Sequence, residues 1–123
     1  MTDSSTPETC VIVGATGAMG SVIAQRLAGA GRRVLAVARS ADELDKLATT
    51  SELISTCVAD IGSDDAVGVI ADGLDGPVRL ALFAAGLPVR GSADTIEPSG
   101  LAVAANIKVA GPVRLLLSLI HIC

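Results

Sequence analysis

Residues 11–20 read VIVGATGAMG. Three apolar β-branched residues run into Gly14, Gly17 and Gly20, spaced three apart, and SVIAQRLAGAG (21–31) follows. A buried strand that turns at once into an apolar helix is the first unit of an open parallel sheet. Ligands bind at the carboxyl edge of such sheets. There the new helix presents unpaired N–H groups and the positive end of its dipole, which suits a pyrophosphate. Glycines permit the tight turn and leave no Cβ between backbone and phosphate. A purely structural glycine turn would use the same letters. The place of the loop, after the first strand and before an apolar helix, is what points to a dinucleotide.

The chain outward from this loop alternates. TCVIV (9–13), RVLAVA (33–38), LISTCVA (53–59) and VRLALFAA (78–85) read as strands. Helices are predicted over 18–30, 41–49, about 64–73 and about 101–119. The first has apolar residues at 19, 22, 23, 27 and 30, and Gly29 and Gly31 end it. Ser40 caps the second, with Glu43 as capping-box partner; Ser63 or Asp64 caps the third. Pro112 is expected to bend the last. Four βα units predict an α/β fold, a Rossmann-like doubly wound parallel sheet with right-handed crossovers, ending after about four units. The strands are continuous apolar runs, as in sheets covered on both faces. Residues 1–8 are expected to be a disordered lead and 9–116 the dinucleotide-binding unit.

Composition narrows the classes. Half of the 123 residues are hydrophobic, and there is one Phe with no Trp and no Tyr, so the core must be Val, Leu, Ile and Ala. The net charge of −4 argues against a nucleic-acid partner. No apolar run approaches the ~20 residues of a membrane span. MTDSSTPET lacks the pattern of a signal peptide, so a cytoplasmic protein is expected. Cys10, Cys57 and Cys123 show no metal or disulfide spacing, and no metal is expected; Cys10 and Cys57 read as buried, inert thiols. The acidic residues Asp42, Glu43, Asp45, Asp64 and Asp65 sit in first helical turns, where the dipole favours them, and no chemistry is assigned to them.

Several motifs in order resemble the short-chain dehydrogenase/reductase family. GATGAMG (14–20) is similar to the family's glycine loop, with the spacing of its extended and atypical branches; the most populous branch would have Gly and Thr where this chain has Ala18 and Val13. VADI (58–61) resembles the segment whose Asp contacts adenine. FAAG (83–86) stands where many members have Asn-Asn-Ala-Gly. AANIKVAGPVRLL (104–116) resembles the family's fourth helix, Asn106 matching the asparagine that supports the catalytic lysine through water. The resemblance implies hydride transfer between a nicotinamide cofactor and a carbonyl or alcohol. It implies cofactor contacts from Gly14, Thr16, Gly17, Ala18, Met19, Gly20, Arg39, Ser40, Asp60, Ile61, Ala84, Ala85 and Gly86. It also implies a small-molecule carbonyl or alcohol substrate and a homo-oligomeric parent protein. Two alternatives stay open: a non-catalytic NAD(P)-sensing protein, and an extended-branch sugar-nucleotide epimerase or dehydratase.

The second strand ends in VARS (37–40). Ala38 occupies the place where an NAD-specific member carries Asp, and Arg39 offers a planar fork for a 2′-phosphate. NADP(H) is therefore expected in preference to NAD. The family's Tyr-x-x-x-Lys pair has no counterpart here: there is no Tyr, and Lys46 and Lys108 precede the region where the pair would lie. These residues are expected to be a cofactor-binding portion, inactive by itself, and His121 is not read as catalytic. LSLIHI (117–122) is what CTG TCT CTT ATA CAC ATC encodes, a transposon end used in library preparation. Residues 117–123 are thus expected to be a non-native tail, which any other codon choice in the source DNA would refute.

Overall fold

The structure, a computed structural model, describes residues 7–86 and 92–120. The elements run β1 (Thr9–Val13), α1 (Ala18–Gly29), β2 (Arg33–Ala38), α2 (Ala41–Ala48), β3 (Ile54–Val58), α3 (Ala66–Gly73), β4 (Val78–Phe83), α4 (Pro98–Ala105), a π-helical turn (Asn106–Ala110) and α5 (Gly111–Ile120). The strands form one parallel sheet in the order β3-β2-β1-β4. Val13 lies level with Val37 on one side and Phe83 on the other, and Ala38 lies level with Val58. The carboxyl ends of all four strands therefore finish along one edge, and the loops that follow them share it.

Side-chain alternation along β1 supplies two cores. Val11 and Val13 point to one face, with Leu35, Val37, Ile70 and Leu115. Ile12 points to the other, with Ala24, Ala28, Val34 and Leu44. Burying each Val, Leu or Ile stabilises the fold by about 1.5–3 kcal/mol. The inner stripe of α1 is Gly20, Ala24 and Ala28. Met19 and Val22 instead face outward, at 71% and 51% exposure. Of the expected stripe, Ile23 and Leu27 do pack, partly buried, against this core, while Met19, Val22 and Ala30 do not; the small residues between let α1 lie close on the sheet.

Burial on both faces holds for β1 and β2. It does not hold for β3 and β4, which are the edges of the described sheet; Val58 and Leu80 are half exposed. Helix α3 begins at Ala66, later than expected, and Asp65 caps it without a side-chain bond. Ser63 Oγ accepts from the Asp65 N–H at 3.3 Å, forming a turn of its own, while Asp64 faces Arg114. Ser40 does cap α2, its Oγ accepting from the Glu43 N–H at 3.3 Å. The last helix starts at Pro98, whose missing N–H is no loss at a helix start. The irregularity expected at Pro112 is the π turn before it. An α-helical Pro112 would collide with the carbonyl four residues back, and the wider turn relieves this.

Residues 98–120 together are long and apolar enough to cross a membrane by length and composition, with mean hydropathy 1.5 over the richest window. That departs from the reading of separate short runs. In this fold Ala104, Gly111, Leu115 and Ser118 of that helix are buried, Gly111 lying against Phe83 and Leu115 within the core. The expectations for residues 1–6, 87–91 and 121–123, including His121 and Cys123, fall outside the described residues.

Beyond β4 no further described strand pairs, and Leu80 is 42% exposed. Such an edge is a template for pairing with other chains. Expressed alone, the 123-residue chain is expected to self-associate through this edge. Size-exclusion chromatography checks this; a monomer would refute it.

Candidate functional site: a cleft at the carboxyl edge

The strand ends open into a cleft of about 290 Å³. Its walls include Gly14, Thr16 and Gly17 after β1, Arg39 after β2, Asp60 and Ile61 after β3, and Ala84, Ala85 and Gly86 after β4. The structure thus brings together residues from four separate loops that the sequence reading had singled out. Ala18, Met19, Gly20, Ser40 and Asn106 are not among the lining residues.

The three glycines do different things. Gly14 has φ +82°, a conformation that L side chains rarely adopt. A Cβ there would also fall 2.5 Å from the Ala85 nitrogen. Gly14 therefore makes the turn and lets β1 and β4 loops meet. Its N–H donates to the Val37 carbonyl at 2.9 Å, and the Ala84 N–H donates to the Val13 carbonyl at 2.8 Å. A Cβ on Gly20 would fall 2.9 Å from the Gly14 carbonyl carbon and closer still to its oxygen. Gly20 thus seats α1 on the turn. Gly17 has φ −72° and ψ 170°, open to any residue, and a Cβ there would meet the Gly14 oxygen at an ordinary 3.4 Å. Neither backbone nor neighbours demand glycine at this position. It is exposed, it caps α1 without any side-chain bond, and it lies on the cleft wall.

Arg39 is exposed on the same wall, with no described carboxylate in ion-pair range. Glu43, to which the sequence reading gave no chemistry, also lines the cleft. One helical turn beyond the cap residue brings it back toward the strand end, a placement that capping spacing could have signalled. Val13, Val37, Ala38, Ala59 and Ile107 supply the apolar lining. Lys108 was likewise set aside, yet its Cε lies 3.6 Å from where a Gly86 Cβ would stand.

Asp60 Oδ1 accepts from the Gly62 N–H at 2.9 Å. Asn106 is turned toward this loop: Nδ2 donates to the Gly62 carbonyl at 2.8 Å, and Oδ1 accepts from Arg114 at 3.0 Å. Burial pushes the Cys10 and Cys57 thiols above their ordinary pKa, and neither lines the cleft. Among the described residues, no group of three or more His, Cys, Asp or Glu gathers in a way that could hold a metal.

The KR domain family matches residues 8–121. The chain belongs to this family, and its fold is that of part of the Rossmann-like α/β fold seen in short-chain dehydrogenase/reductase structures. It is similar in structure to a short-chain dehydrogenase/reductase family protein at TM-score 0.84 and 22% identity, covering 93% of this chain and 48% of that one. It is similar to a 3-ketoacyl-(acyl-carrier-protein) reductase from Brucella melitensis complexed with NADH, at TM-score 0.84 and 23% identity, covering 93% and 49%. An actinorhodin polyketide ketoreductase solved with NADPH is similar at TM-score 0.79 and 25% identity, covering 93% and 46%. The chain thus spans about half the length of these relatives. A comparison with curated proteins found no match.

Proposed function

We propose that the chain is the cofactor-binding half of an NADP(H)-dependent oxidoreductase acting on a small carbonyl or alcohol. The observation that carries this is the cleft itself: an uncapped helix start opened by Gly17, with Arg39 on the same wall. The first N–H groups of α1, with Thr16 and Gly17, suit the pyrophosphate. Asp60 and Ile61 suit the adenine, Arg39 the 2′-phosphate, and Ala84 to Gly86 the approach to the nicotinamide. When bound, the cofactor supplies or accepts the hydride; these residues bind and orient it. The KR-domain match and the ketoreductase relatives support the carbonyl chemistry. A homo-oligomeric parent is part of the same proposal, supported by exposed Val109, Val113 and Leu116 on the last helix.

Glu43 works against the 2′-phosphate that Arg39 attracts, because both share one wall. NADPH is therefore expected to bind more tightly than NADH by a moderate margin. Glu43→Gln is expected to widen that margin about threefold at low salt, an effect that shrinks as salt screens these exposed charges. Titration of both cofactors tests this. Equal affinities in the parent would remove the NADP(H) preference, and no binding of either would remove the cofactor reading.

A further inference from the structure

We propose that Arg114 is a positioning residue for the adenine end of the cleft, and that the π turn aims it there. This rests on the cofactor reading above. Arg114 lies at the other end of the chain from the glycine loop, and its side chain is only 12% exposed. Its guanidinium donates three ways: Nε to Asp64 Oδ1 at 2.9 Å, Nη1 to the Ile61 carbonyl at 2.9 Å, and Nη2 to Asn106 Oδ1 at 3.0 Å. Asn106 passes the contact on, donating to the Gly62 carbonyl at 2.8 Å. Two consecutive carbonyls of the loop after β3 are thus held from one helix. Asp60 and Ile61, on the cleft side of that loop, are fixed in turn, Asp60 through the Gly62 N–H.

The π turn makes this possible. Residues eight apart in an uninterrupted α-helix point about 80° apart, at about 100° per residue. A π turn accommodates one extra residue, which brings such a pair to within about 20° of each other. Asn106 opens the π turn and Arg114 follows it, so both reach the same loop. A planar five-donor fork can serve three acceptors at once, which a lysine ammonium on a single flexible stem does poorly. Arg114 does not line the cleft, so it acts through the loop.

The test uses the full chain and two half-ligands: adenosine 2′,5′-bisphosphate, which carries no nicotinamide, and nicotinamide mononucleotide, which carries no adenine. Arg114→Met is expected to weaken the adenosine ligand about tenfold, and Arg114→Lys about threefold. Neither is expected to change the affinity for nicotinamide mononucleotide. Amide exchange at Gly62 and Ser63 should quicken in both variants while β1 stays protected. Equal weakening of both half-ligands would mark a general structural role and overturn the proposal. A folded Arg114→Lys chain that binds the adenosine ligand like the parent would overturn it too, even where Arg114→Met does not fold. Failure of the unaltered chain to bind either half-ligand would overturn the cofactor reading and this one with it.

Discussion

Gly20→Val is expected to leave no cooperatively folded protein, while Gly17→Ala keeps the fold and loses cofactor. A side chain at position 20 enters the Gly14 carbonyl, and that carbonyl belongs to a turn bonded to β2 and packed on the β4 loop. Overpacking in a core commonly costs about 1–3 kcal/mol when side chains can shift. Here the obstacle is backbone, so the cost should approach the whole stability of ~5–15 kcal/mol. At position 17 an alanine meets nothing closer than 3.4 Å within the chain. Its methyl group stands instead where backbone and phosphate would approach, and about a tenfold loss of NADPH affinity is expected. Circular dichroism melts and cofactor titration separate the two outcomes, with Gly29→Ala, at a glycine with open space around it, as the control. A folded Gly20→Val chain, or a Gly17→Ala chain with parental affinity, would break this division of labour.

The second large effect is a change of cofactor. Ala38 ends β2 and lies, with Arg39, on the cleft wall. The double variant Ala38→Asp with Arg39→Ala removes the Arg39 cation and places a carboxylate where a ribose hydroxyl would donate to it. A charge-assisted hydrogen bond contributes about 1.5–3 kcal/mol. Losing one to phosphate while adding repulsion should swing the NADPH-to-NADH affinity ratio about 100-fold toward NADH. Dissociation constants for both cofactors in parent and variant are the measurement. No swing would take Arg39 out of the explanation.

Sequence periodicity was enough to find the four strands, the helices between them and the edge on which the site lies. Strand runs are short and apolar, and the helices between them require a parallel sheet with right-handed crossovers. What escaped was decided by contacts between distant segments. The small stripe Gly20, Ala24, Ala28 has little hydrophobic weight, so Met19 and Val22 looked like the inner face. Helix α3 starts only at Ala66, after a local turn at Ser63 and with Asp64 bonded to Arg114, fifty residues away. Glu43 was legible as a capping partner, but its place on the cleft wall depends on how α2 leaves the sheet. The π turn has no local pattern beyond the proline that follows it.

The unequal duties of the three glycines bear on how such a chain can drift. Positions 14 and 20 are locked by the polypeptide's own backbone, whatever the protein does for a living. Position 17 is locked only by what comes to rest against it. A descendant that abandoned its cofactor would be free to replace Gly17 first and would still have to keep the other two. In a set of relatives, the outer glycines would then record shared ancestry of the fold, and the middle one would record whether the ligand is still being bound.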